Sequence, residues 1–171
     1  MRRGGTLGAV RVRGSDVSPS GGRGGGWVAG QLVAGSIVVA VGLLGPDWPS
    51  WARVPFTVAA VALVVLGSAM LVAGGAFLGR SLTPFPRPIP GGLLREHGVF
   101  RLVRHPMYGG VILMALGWSL ATSPLALVAA LGLGVFFDRK SRREEAWLVE
   151  HYPGYPEYRR RTRWKFVPGL R

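Results

Sequence analysis

Two polar clusters in this sequence hold the residue types that chemistry needs. One is GVFRLVRHPMYGG, residues 98–110, and the other is RKSRREEAWLVEHYPGYPEYRRRTRWKFVPG, residues 139–169. Together they supply an imidazole (His105), a phenol (Tyr108), two adjacent carboxylates (Glu144 and Glu145) and several guanidinium groups. Such a set suits a zwitterionic or cationic cofactor, with carboxylate for its amino or hydroxyl groups and Arg, His and backbone N–H for its carboxylate. Gly109 and Gly110 would let a ligand approach the backbone. Each residue alone has a plainer role. Arg101 and Arg104 suit anchors beside a membrane span, His105-Pro106 a helix start, and Tyr108 an interfacial aromatic position. Glu144 and Glu145 suit helix-surface pairs with Lys140, Arg142 or Arg143. It is the combination that singles them out. No nucleophile–base triad is recognisable, and His97, His105 and His151 are too scattered for a metal site.

The elements that must position these residues are read from hydropathy. The 171 residues are 49% hydrophobic and only 17% charged, short of the polar surface an ordinary soluble domain carries. There is no cysteine, which excludes disulfide scaffolds, thiolate metal sites and cysteine nucleophiles. Four apolar stretches are visible, over about 27–44, 54–78, 107–122 and 124–138. The first two are long enough to cross a hydrocarbon core of roughly 30 Å. The last two are shorter, but the fourth continues without a Pro or Gly break into DRKSRREEAWLVEHY. One helix from about Pro124 to His151 can therefore start in the membrane and emerge into water. Ser123-Pro124 makes a tight hairpin turn between stretches three and four, with Pro124 in the first turn of the last helix. That hairpin would bring the two polar clusters together in space.

Charge gives the orientation. The net charge is +13, from 21 Lys+Arg against 8 Asp+Glu. With four crossings, 20 of the 21 basic residues fall on one side: the segment before Trp27, the loop from Gly79 to Pro106, and the tail from Asp138. The positive-inside rule makes that side cytoplasmic, with both termini inside. The expected fold class is an all-α, polytopic membrane protein of about four transmembrane helices, with a cytoplasmic C-terminal extension over 139–171. Residues 1–26, rich in Gly, Ser and Arg, are expected to be disordered, and they lack the cleavage pattern of a signal peptide. Gly75 and Gly79 form a GxxxG pair that permits close helix approach, although such pairs arise readily by chance among 27 glycines.

At these residues the sequence resembles a family. RHPMYGG, a span of fitting length, a short turn, and then REEAWLVEHYPGYPEYRRRTRWKFVPG is similar to the isoprenylcysteine carboxyl methyltransferase and phospholipid methyltransferase superfamily of integral membrane enzymes. The likeness runs from about Thr83 to Leu170. It implies S-adenosylmethionine as cofactor. By position it implies a cofactor pocket built from Gly92, Leu93, Leu94 and Arg95, from Phe100, from His105, Pro106, Met107 and Tyr108, and from Glu144. It places Lys140 where the family has an Arg facing the methyl acceptor, with Arg139 and Arg142 as possible substitutes. There are two departures. Phe100 replaces a common Tyr and loses a hydroxyl, and Lys140 loses the bidentate fork suited to a carboxylate.

Methyl transfer from a sulfonium asks the protein mainly for alignment and exclusion of water. A carboxylate acceptor needs no general base; an amine acceptor must lose a proton, for which Glu145, Tyr108 and His105 are the candidates. The expected function is methyl transfer from S-adenosylmethionine to a lipidic or amphipathic acceptor at the cytoplasmic membrane interface. O-methylation of a carboxylate leads, and N-methylation of a phospholipid or lipid amine is the alternative. A different class competes: a non-catalytic four-span protein whose basic loops bind anionic headgroups. A nucleic-acid partner is not expected, because the positive-inside pattern already accounts for the basic charge. The sequence sets no oligomeric state.

Overall fold

The structure is a computed structural model that describes residues 24–79 and 94–169. Their regular structure is helical: α1 (Gly25–Leu44), α2 (Ser50–Leu78), α3 (Pro106–Thr122), α4 (Pro124–His151) and α5 (Tyr155–Arg161), with a 3-10 turn over Gly98–Arg101. No strand forms among the described residues. Most of the leader expected to be disordered lies outside them, but Gly25 and Gly26 belong to the first turn of α1.

The helix ends follow local chemistry. Pro106 and Pro124 sit at the starts of α3 and α4, where a missing N–H costs nothing. Ser123 is the whole connection between these helices, and its Oγ accepts a hydrogen bond from the Leu125 backbone N–H, capping α4. α4 runs unbroken from apolar residues into charged ones, so its second half carries the acidic pair. α2 begins at Ser50, four residues before the apolar run, with Pro55 just past its first turn.

Two helices, α1 and α2, are long and apolar enough to cross a membrane. At about 1.5 Å per residue they span roughly 30 and 43 Å. α3 is apolar but shorter, 17 residues or about 25 Å. Large apolar side chains face outward on these helices: Leu32, Leu43, Val58, Val61 and Val72 are all more than half exposed. Apolar surface of that extent marks a partner or a membrane.

α2 and α3 pack closest, along a seam of small residues. A Cβ added at Gly117 would come within 2.8 Å of the Ala60 carbonyl oxygen; one at Gly67 within 2.6 Å of that of Gly110; and one at Gly74 within 2.7 Å of Met107 Cγ. Ala60, Gly67 and Gly74 recur every seventh residue, nearly two turns, and so form one stripe down α2. Gly75 and Gly79 are not part of it, since a Cβ at either meets nothing. The GxxxG pair visible in the sequence is therefore one residue off the seam. On the other side, α1 leans on α4 and α3 around Val38, Ala115, Ala130, Leu133 and Phe137. At the far end the Trp48 indole N–H donates to the Ser119 carbonyl at 3.0 Å, tying the α1–α2 loop to the end of α3.

Candidate functional site

The first turn of α3 faces the second half of α4. His105 immediately precedes Pro106 as the N-cap of α3; its backbone N–H donates to the Lys165 carbonyl, and that of Arg104 to the Trp164 carbonyl. Residues 162–166 thus form a strap beside 103–105, with a single parallel bridge between Val103 and Trp164. The strap crosses α3 at Gly109, where a Cβ would lie 2.1 Å from the Phe166 carbonyl oxygen. Gly109 and Gly110 consequently admit neighbouring backbone, the strap and α2, where the sequence suggested room for a ligand.

Two carboxylates, adjacent in sequence, meet different partners. The Glu144 carboxylate accepts a 2.7 Å hydrogen bond from the Tyr108 hydroxyl and lies 3.9 Å from His105 Nδ1. Glu145 is buried. Its Oε1 accepts from Arg104 Nε at 2.9 Å and from His105 Nε2 at 3.1 Å, and Arg159 Nε stands 3.4 Å from Oε2. Because an ionised carboxylate only accepts, His105 carries its proton on Nε2. Burial alone would raise the Glu145 carboxyl, but the hydrogen bonds and charges of His105 and Arg104 outweigh it and hold it at about 2. Arg104 also spans to the strap, donating from Nη1 to the carbonyls of Thr162 and Arg163.

A stack of rings joins the site to the helix core. His105 lies parallel to Tyr108, centroids 5.4 Å apart, and Tyr108 stacks on the buried Phe137 at 4.8 Å. Lys140, only 1% exposed, holds its ammonium 5.0 Å from the Tyr108 ring centroid and donates to Gln31 Oε1 at 2.6 Å. Burial lowers the basicity of Lys140, and the Glu144 charge partly restores it.

The other expected residues are dispersed around this centre. Phe100 is buried with Tyr155 and Tyr158, whose hydroxyl donates to the Phe100 carbonyl at 2.8 Å, and Leu94 packs at the edge of that cluster. Burial raises the phenols of both Tyr155 and Tyr158. The Tyr155 hydroxyl is buried without a hydrogen-bond partner among the described residues. Pro106 is buried, and Met107 packs toward Gly74 of α2. Arg95 and Arg139 are exposed, and Arg142 makes a surface pair with Asp138. Gly92 and Leu93 lie outside the described residues.

Two participants, Arg159 and Gln31, were not singled out by their sequence, and two more, Arg104 and Tyr155, stood in the quoted motifs without a role of their own. Arg104 and Arg159 look like ordinary cytoplasmic anchors among many, and Gln31 is separated from its partner Lys140 by 109 positions. Only the Tyr-x-x-Tyr spacing at 155 and 158 carries a signal, because it puts both rings on one face of α5.

A family model described as phospholipid methyltransferase matches residues 56–154, more than half of the chain. The match takes in most of α2, all of α3 and α4, and the HPMY and Glu-Glu residues. α1 and the strap lie outside it. No curated protein matches the sequence.

Proposed function

Because this chain belongs to the phospholipid methyltransferase family, we propose that it transfers a methyl group from S-adenosylmethionine to the acidic head of an amphipathic acceptor at a membrane surface. The observation that carries this reading is the convergence of His105 and Tyr108 with Glu144, Glu145 and Lys140, from segments about 40 residues apart, where apolar helix gives way to charged helix. In this reading α3 and α4 cross the membrane with α1 and α2, and the site and both termini are cytoplasmic. The basic loops and tail support that orientation.

The residues present fit the cofactor. Glu144 offers a partly exposed carboxylate to an amino or hydroxyl group. Phe100, Tyr155 and Tyr158 form a closed aromatic cluster beside the site, and the Tyr155 hydroxyl, without a hydrogen-bond partner among the described residues, is an unspent buried donor there. When bound, the cofactor supplies an electrophilic methyl group on a sulfonium. The chain supplies the rest. Glu145, already engaged by Arg104 and His105, fixes the imidazole and is a positioning residue. Tyr108, held between His105 and Phe137, sets the wall against which cofactor and acceptor align. Lys140 places positive charge on the acceptor side, which favours a carboxylate nucleophile and disfavours an ammonium.

N-methylation of a lipid amine is a second reading, favoured by the description of the matching family. It needs a proton acceptor, and the Tyr108–Glu144 pair is the candidate relay.

Calorimetry with S-adenosylhomocysteine on detergent-purified protein tests the main reading. The intact chain should bind, and Glu144→Ala and His105→Ala should bind far more weakly while keeping their helicity. An intact chain that ignores the ligand at millimolar concentration would point instead to a non-catalytic membrane protein.

A further inference from the structure

The 3-10 turn and the residues after it lie beside the strap, and their side chains divide into two sets. The bridge between Val103 and Trp164 fixes the register of the two segments. Val103 is fully buried against Met70 and Leu113, with Trp164 and Val167 at the edge of the same cluster. One step earlier on each segment, Leu102 and Arg163 are exposed, and so is Arg101. Leu102, a large apolar side chain, is 60% exposed. Arg101 and Arg104 share one plain role in the sequence, but here they part. Arg104 turns inward to Glu145 and to two strap carbonyls, while Arg101 stays at the surface.

Charge and depth say what this surface meets. The carboxylates nearby are already spent: Glu96 pairs with Arg161, Glu157 with Arg160, and Glu145 with Arg104 and Arg159. Among the described residues Arg101 and Arg163 make no ion pair. Depth comes from α2. Met70, which packs on Val103, lies about 20 residues along α2 from Ser50, or roughly 30 Å. That equals the thickness of the hydrocarbon core. Val72, just beyond it, is 70% exposed. An exposed leucine beside two unpaired guanidinium groups at that depth has the make-up of an interfacial anchor, apolar body toward the acyl chains and cations toward phosphate. The planar guanidinium fork matches phosphate oxygens two at a time.

We infer that Leu102, Arg101 and Arg163 form a docking face for anionic phospholipid of the inner leaflet. Leu102 enters the acyl boundary, and the two guanidinium groups take lipid phosphates. The inference rests on the membrane placement in the reading above and not on methyl transfer. It gives the turn and the strap a task outside the site itself. The same two segments carry the backbone hydrogen bonds of Arg104 and His105, so docking them on headgroups sets the imidazole at the membrane surface.

The chain has no cysteine, so a single engineered one reports its own surroundings. Leu102→Cys carries a nitrobenzoxadiazole probe, in full-length protein in nanodiscs containing acyl-chain spin-labelled phosphatidylglycerol or phosphatidylcholine. Probes at Val61→Cys, outward on α2, and at Val149→Cys, on the charged half of α4, are the references for lipid and for water. The Leu102 probe should be quenched by the lipid label and shielded from aqueous iodide, and the Val149 probe should show the reverse. Phosphatidylglycerol should quench the Leu102 probe more than phosphatidylcholine at equal content. Arg101→Gln and Arg163→Gln should each lower that local enrichment about fivefold at low salt. Arg160→Gln removes an equal charge from α5 and should leave it unchanged. Iodide quenching of the Leu102 probe equal to that at Val149 would overturn the docking face, and so would equal quenching by the two lipids. A loss in Arg160→Gln as large as in Arg101→Gln would reduce the preference to net charge and overturn it too. If the Val61 probe also escapes the lipid label, the membrane placement fails and the face fails with it. S-adenosylhomocysteine binding reads the methyltransferase assignment separately from all of these.

Discussion

Side by side on one helix, Glu144 and Glu145 have unlike environments, and this divides their roles. Glu145 faces the buried Arg104 guanidinium and accepts from His105, with the exposed Arg159 at its edge, so removing its charge leaves a buried guanidinium without its carboxylate. Glu145→Gln is expected to lose about 3 kcal/mol or more of stability, read as a lowered unfolding temperature in detergent. The pH dependence follows from its depressed carboxyl. An unfolded Glu titrates near about 4.3, whereas this one is held at about 2. Its contribution is complete above the unfolded value and fades as pH falls through the folded one. Unfolding temperature should therefore drop between about pH 4.3 and 2, and Glu145→Gln should lack that part of the drop. Glu144 is more open and accepts a hydrogen bond from Tyr108. Tyr108→Phe should preserve folding, because the ring still stacks between His105 and Phe137. It frees the Glu144 carboxylate, and on the amine reading it would also slow turnover.

The helices are held together by what their glycines leave out. Gly110 faces the Gly67 carbonyl and the Leu71 backbone nitrogen, at 2.6 and 3.0 Å from an added Cβ. Neither atom can swing aside, so Gly110→Ala should cost about 1–3 kcal/mol by overpacking. Gly75→Ala, one residue off the seam, should be neutral or gain up to about 1 kcal/mol from helix propensity. Thermal unfolding of the pair reads the contrast; equal effects would mean that α2 and α3 do not meet along this stripe. The strap 162–166 is a second device of the same kind. It lies against Gly109, takes two guanidinium hydrogen bonds from Arg104, and anchors to α4 through Lys165 and Asp138 at 2.6 Å. It holds His105 from one side while Glu145 holds it from the other.

For the whole molecule, the absence of cysteine makes the placement of the helices in a bilayer directly measurable. Ser50→Cys and Leu125→Cys are exposed positions at the end opposite the site. Both should react with an impermeant maleimide added outside the cells of an expression host. Glu157→Cys, on α5, should react only after permeabilisation. Labelling of Ser50→Cys without Leu125→Cys would leave α1 and α2 spanning and α3 not crossing. The candidate site lies at the charged ends of these helices, which on the proposed orientation is the cytoplasmic side.

Helix existence and limits were legible in the chain because they depend on local quantities. Apolar runs and a Pro at the first turn placed α1, α3 and α4 to within two residues, and the unbroken charge run predicted that α4 continues to His151. HPMY and Glu-Glu were legible as polar residues at the edges of apolar runs. The partners were not. Nothing local distinguishes Arg104 from the other basic residues, Gly74 from Gly75, or Gln31 from any amide near a helix start. Those identities are set by which atom lies across the gap, over separations of 33 to 109 positions. Hydropathy determined the elements by itself. Only packing decided which carboxylate is buried, which glycine touches backbone, and that α1 stands apart from α2, because each is a property of two surfaces at once.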